Sequence, residues 1–498
     1  MSSGPDARPD GTSQGLVDTP NEIPESEKLT FAPLLALVVG SMVGGGIFNL
    51  PQNVAETTAA GPAVIGWIIT AIGMCCLALV FQNLANRRPD LDAGVYSYAK
   101  ALFGQLTGFF SAWGYWFSAW VGNIAYFVLL FATLSLWFGG FGDGTTWAAI
   151  IGASVLLWLL HGLVLAGVRQ AAIINTIATI AKLVPIGLFV ILAIYGFKYD
   201  LFATDFWGTG DADLGSILDQ TRGMMLVTVW VFIGIEGASI YSARAKKRSD
   251  VGKATVIGFL AVLALLMLVN LLSFGVMERA AVAGLDDPSM AGVLEHVIGR
   301  PGTIIVSVGL VISLFGALLS WIMIPVEIMQ VAAEDQTMPK AFAKLNANQS
   351  PTTALWFTSA CMQIMLVLTA FMGEGVYLSL IYLSSSLILI PYLFATMYAA
   401  FLAKTGSEYE GSPGRRKRDL ILGVVATVYA IWLLYGAGLV YLLLATMLYA
   451  PGLIIHAWAR KERGEPVFAG TKELVVSVVV VILGILALVL LINGTISM

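Results

Sequence analysis

Apolar runs of about twenty residues recur from Phe31 almost to the end of the chain, each bounded by a short polar or charged segment. A helix of about 20 apolar residues crosses the hydrocarbon core of a bilayer. The pattern therefore predicts membrane spans over 31–58, 63–86, 105–138, 147–167, 172–197, 217–243, 254–277, 302–333, 352–372, 375–403, 419–436, 438–459 and 473–494. The expected fold class is an all-α integral membrane protein of about 13 transmembrane helices. The narrowest division is Tyr435 to Gly438, read as a tight turn between two spans. Residues 1–29 break the pattern. They are polar, acidic and rich in Pro, Gly and Ser, the composition of a disordered tail. They lack the basic start, apolar core and small-residue cleavage site of a signal peptide.

Charge placement orients the spans. Only 12% of the 498 residues are charged, against about 25% in soluble domains. With the amino terminus inside, 22 of the 27 Lys and Arg fall on the inner side and four, Lys198, Arg222, Arg279 and Arg300, on the outer side. This asymmetry is what positive-inside insertion requires. It predicts a multi-pass protein of the cytoplasmic membrane with a cytoplasmic amino terminus and membrane lipid as its surroundings. The remaining base, Lys182, stands about ten residues inside the fifth span. A lysine at that depth is costly enough to read as functional.

Two spans are interrupted. Gly40 and the run Gly44, Gly45, Gly46 occupy the middle of the first, where each glycine costs about 1 kcal/mol against alanine in a helix. Five spans later, Gly234 and Gly237 flank Glu236 at the middle of the sixth. Irregular backbone at membrane depth survives only where protein or a watery cavity surrounds it. Two broken helices, one opening each set of five, predict two inverted five-helix repeats: 30–197 and 217–403, joined by an outer loop over 198–216 and followed by helices 11–13 over 404–498. Five is odd, so the second set enters from the opposite side, as the charges independently require. An unwound helix frees amides for an anion and carbonyls for a cation. An α-amino acid presents both groups on one carbon.

Other chemistry is sparse. Cys75, Cys76 and Cys361 lie inside apolar runs, and His161, His296 and His456 are scattered. No metal site, no cofactor and no nucleic-acid partner is expected. No H-E-x-x-H, G-x-S-x-G or paired catalytic Asp stands in a span, so an enzyme is not expected. No repeated filter loop suggests a channel.

The stretches "GSMVGGGIF" and "WVFIGIEGAS" resemble the first- and sixth-helix signatures of the amino acid–polyamine–organocation superfamily. "AWVGNIAYF" in the third span and "AAEDQTMPKAFAK" after the eighth resemble its basic amino acid/polyamine antiporter branch, of the arginine–ornithine antiporter and lysine permease type. The resemblance covers roughly residues 30–460. It implies that the substrate α-carboxylate meets Gly45 and Gly46, with Ser41 and Met42 nearby, and that the α-ammonium meets carbonyls including that of Ile233. Asn123 would help hold the substrate, Trp230 would cover a cationic side chain, and Trp321 would close the far end of the pocket, with Ser384 a tenth-helix contact. A tryptophan face attracts guanidinium or ammonium by roughly 0.5–2 kcal/mol. Glu236 would link proton and substrate control. Lys182 resembles a fifth-helix lysine that takes the place of a sodium ion. Glu327 departs from the pattern, standing where related antiporters carry an amide, and is expected to read a cationic side chain or to pair with Lys182 or backbone. The resemblance also implies a homodimer. The expected function is exchange of cationic amino acids, arginine or lysine against ornithine or a related amine, by alternating access; the alternative is a proton-coupled lysine or arginine permease without obligatory exchange.

Overall fold

A computed structural model of the chain describes residues 30–91, 94–167, 172–236, 246–373, 375–410 and 413–496. Among these there is no strand, only an isolated bridge between Leu345 and Pro351. The first expected span is helix α1 (Phe31–Met42), a 3-10 turn (Gly45–Phe48) and α2 (Leu50–Ala55). There follow α3 (Ala60–Arg87), α4 (Val95–Phe103), α5 (Gln105–Leu134), α6 (Trp147–Leu165) and α7 (Ala172–Gly196). A loop carrying α8 (Tyr199–Ala203) and α9 (Ile217–Gly223) leads to α10 (Met225–Phe232), the first half of the expected sixth span. Then come α11 (Arg248–Val276), the short α12 (Arg279–Ala283) and α13 (Ser289–Ile298), α14 (Arg300–Glu334), α15 (Thr352–Thr369), α16 (Val376–Thr405), α17 (Pro413–Glu462) and α18 (Thr471–Ile492).

Nine of the described helices are long and apolar enough to cross a membrane: α3, α5, α6, α11, α14, α15, α16, α17 and α18. The expected turn at Tyr435–Gly438 is a break at Gly438 inside α17, where φ of 73° and ψ of 165° lie outside the helical region. A residue with a side chain resists that conformation, which glycine adopts freely.

Burial sorts the helices. In α5, 94% of the apolar window is buried, against 17% in α18. Helix α5 is the axis of the bundle, packed on α14 and α16. Its aromatic face interlocks: Trp113 stacks on Trp116 at 4.6 Å, and Trp116 Nε1 donates to Thr358 Oγ1 on α15 at 3.0 Å. A helix that is apolar on every side and buried so little, as α18 is, faces lipid.

Loop contacts fall into two groups. Arg87 pairs with Asp419 at 3.1 Å and Lys100 with Asp335 at 2.7 Å, joining segments expected inside. At the other end Gly61 N donates to Phe206 O at 2.7 Å, Ala59 N to Gln220 Oε1 at 3.0 Å, and Arg279 pairs with Asp211. These join segments expected outside.

Candidate functional site

Helix α1 stops at Met42 because the residues that follow must make room for rings from other helices. A Cβ on Gly46 would come 2.5 Å from Trp230 Nε1, and one on Gly45 would come 3.0 Å from Leu314 and 3.1 Å from Tyr126. A packed interior leaves no room for the Gly46 approach and only the tightest fit for the Gly45 one. Close approach, not a left-handed φ, is what requires glycine here: Gly44 is extended, with φ −97° and ψ −164°. The 3-10 turn then begins at Gly45, and the first amides of such a turn have no acceptor within it.

The second break has another cause. Helix α10 ends at Phe232, Ile233 takes φ −58° and ψ 130°, and Gly234 has φ +104°, a conformation that favours glycine. Ile235 N closes back on Phe232 O at 3.1 Å. Glu236 is buried beside this turn. Tyr115 and Tyr392 both donate their hydroxyls to its carboxylate, the latter at 2.6 Å, and Gly234 N donates at 3.2 Å.

Between the two breaks lies a cavity lined by Met42, Gly44, Gly46, Ile47, Tyr126 and Trp230, closed by Val231, Ile233, Leu266 and Trp321. Its volume of about 10 Å³ has room for one water at most. Trp230 is buried, with its ring 5.4 Å from that of Tyr126. An amino acid enters only if a wall moves. The conformation is closed.

Five of the residues expected at the site, Met42, Gly46, Trp230, Ile233 and Trp321, thus share one cavity, and Gly45 adjoins it beside Tyr126. Asn123 on α5 donates to Leu318 O on α14 at 3.2 Å, leaving its own Oδ1 without a partner. Ser384 is not on the cavity lining. It exchanges hydrogen bonds with Ser118, each hydroxyl donating to the other's carbonyl at 2.8 Å, which ties α16 to α5. Lys182 is buried and donates to Gly40 O at 2.6 Å, capping the carbonyl end of α1. Glu327, expected to read a cationic side chain or to pair with Lys182 or backbone, is exposed on α14 and is not on the cavity lining. The side chain of Ser41 and residue Gly237 lie outside the described residues.

Three tyrosines were not among the expected residues. Tyr126 follows Asn123 by three positions, so helical spacing puts both on one face of α5. Tyr115 and Tyr392 carry no such local signal, because their common partner Glu236 lies 121 and 156 residues away.

A family model described as amino acid permease matches residues 29–447. The chain is 56% identical over 461 residues to the arginine/ornithine antiporter of Pseudomonas aeruginosa, covering 92% of this chain and 96% of that protein. It is 41% identical to the L-lysine transport protein of Corynebacterium glutamicum, over 98% of each chain. To the arginine/agmatine antiporter of Chlamydia caviae it is 39% identical, over 91% of this chain and 95% of that one.

Proposed function

The chain belongs to the amino acid permease family, and from that premise we infer that it is a secondary active transporter exchanging cationic amino acids, arginine or lysine against ornithine or a related amine, by alternating access. The observation that carries this reading is the convergence of two helix breaks and two tryptophans on one closed cavity. The relatives whose names specify arginine, ornithine, agmatine or lysine support the substrate class.

In the cycle the substrate carboxylate lies against the amides of Gly45 and Gly46, which carry the positive end of a helix dipole. The ammonium lies against carbonyls freed at the end of α10, Ile233 included. Trp230 covers the cationic side chain on one wall, and Trp321 closes the other. Glu236, off the cavity lining and held by Tyr115 and Tyr392, couples proton and substrate movement when it is released from them. Asn123 and Ser384 serve the site through α5, by fixing α14 and α16 around it. Lys182 neutralises the carbonyl end of α1, where a bound cation would otherwise be needed.

The architecture belongs to the same reading. Two inverted repeats over 30–197 and 217–403, thirteen spans, a cytoplasmic amino terminus in the cell membrane and a homodimer follow from the charge asymmetry and the resemblance. The two groups of loop contacts support the side assigned to each segment.

Uptake of labelled arginine into liposomes carrying the purified protein tests the function. Entry is expected only when the lumen holds arginine, ornithine or lysine. Entry into empty liposomes, driven by a pH gradient, would replace exchange by a proton-coupled permease.

A further inference from the structure

Asn49 is the first residue after the 3-10 turn, and its side chain is wholly buried. Its Nδ2 donates to the carboxylate of Asp287, in the loop between α12 and α13. Its Oδ1, on the same carbon, has no partner. The helices on either side of that loop are fastened to α2 at two further points: Gln52 N donates to Ser289 Oγ at the start of α13 at 3.2 Å, and Arg279 Nη1, at the start of α12, to Ala55 O at 2.8 Å. A carboxylate and an orphaned amide oxygen are thus held side by side, both acceptors. Buried acceptors without a donor are rare enough to require an explanation.

Among the described residues, the charged groups that act on Asp287 are Glu56 just after α2, Asp286 in its own loop and Asp143 before α6, all acidic. The nearest base tied to α2, Arg279, is spent on Ala55 O and Asp211. Below, the Tyr377 hydroxyl on α16 stands against the side chain of Trp230 and within electrostatic reach of Asp287. Buried polar side chains therefore run from the cavity wall to Asn49, and exposed Glu56 stands beyond.

We propose that Asn49 and Asp287 form an outer acceptor site for the guanidinium or ammonium end of a cationic amino acid passing between the outer solution and the cavity. The site rests on the exchange reading above and adds to it a second point of cation recognition, on one side of the membrane only. A substrate donor would satisfy both oxygens at once, and charge-assisted hydrogen bonds are the stronger kind. The acidic rim would raise the local concentration of cationic substrate.

The test is arginine uptake by right-side-out and inside-out membrane vesicles loaded with ornithine. Asp287→Asn is expected to raise the KM for arginine about tenfold at the outer face, leaving the inner-face KM and the maximal rate unchanged; Asp287→Glu restores most of the loss. Equal changes at both faces, or none, overturn the site. A second measurement needs no variant. Burial and the surrounding acids push the Asp287 carboxyl up to about 7, so the acceptor is charged above that pH and neutral below it. Lowering the outer pH through about 7 is expected to raise the outer-face KM of the unaltered protein, and a flat profile overturns the site. If the unaltered protein takes up no arginine against ornithine, the exchange reading fails and this site with it. Exchange with an unshifted Asp287→Asn removes the outer site alone.

Discussion

The two helix breaks do the same thing to the backbone by opposite means. From Met42 to Phe48 the first contains no ionisable side chain, and its shape is set from outside, by Tyr126, Trp230 and Leu314 occupying the space where side chains would be. The second carries Glu236, and its shape is set from within, by the left-handed Gly234 and by a carboxylate bound to two tyrosines and a backbone amide. The first break offers only backbone, which can recognise only what all amino acids share. On the proposed reading, selectivity for charge and coupling to protons would fall to the second break and the rings above it. The head group would be shared, its carboxylate going to the first break and its ammonium to the second.

The sharpest way to break this division is to put one methyl group into the first turn. In Gly46→Ala the new Cβ would stand 2.5 Å from Trp230 Nε1 and 2.7 Å from Cδ1 of the same ring, so the turn or the ring must shift. A displacement of about 1 Å at a site that aligns a reactant costs on the order of a hundredfold, and a loss of that size in the initial rate of exchange is expected for every substrate alike. Gly414→Ala, exposed at the start of α17 with nothing within 4 Å, is the control and should exchange normally. Normal exchange by Gly46→Ala would move the head group elsewhere.

Changes at the second break should be smaller and should discriminate. Glu236→Gln keeps the shape but turns an amide NH2 toward one of two hydroxyl donors, and a buried mismatch of that kind is expected to slow exchange about tenfold. The pH profile of exchange should flatten with it; an unaltered profile would leave Glu236 a purely structural group. Trp230→Leu should raise the KM for arginine about fivefold, the equivalent of ~1 kcal/mol of lost cation–π attraction. The KM comparison must be made with folded protein, so a normal elution profile in detergent is part of the measurement. Arginine kinetics equal to the parent's would take the ring off the substrate's path.

The sequence pattern carried the bundle and its interruptions because both are local. Apolar runs announce spans within twenty residues, and glycines in such runs announce breaks, so α3, α5, α6 and the kink at Gly438 lie where expected. The interruption expected around Gly40 and Gly44 to Gly46 runs in the structure from Val43 to Asn49: helix persists to Met42 and resumes at Leu50. Its outer limit follows from Asn49 and Pro51, which suit the start of a helix, whereas its inner limit depends on Tyr126 and Trp230, which no local pattern reveals. The same distinction governs the side chains. Met42, Gly46, Trp230, Ile233 and Trp321 share a cavity, while the tyrosine clamp on Glu236 and the pairing of Asn49 with Asp287, 238 residues apart, had to be seen folded.

Lys182 decides whether the first break is as free of ionisable chemistry as it looks. It comes from α7 and donates to Gly40 O at 2.6 Å, at the end of α1 where helix carbonyls lack intrahelical donors and the dipole is negative. If that is its whole role, Lys182→Met fills the space but leaves the carbonyl buried and unpaired, at a cost of about 1–3 kcal/mol. The expected result is a lower thermal midpoint in detergent with only a small fall in exchange rate, the least of the effects predicted here, and with the pH profile of the parent kept. Loss of exchange at an unchanged midpoint would mean the opposite. The ammonium would then be a working charge delivered to the first break from a neighbouring helix, and the backbone of that break would no longer act alone.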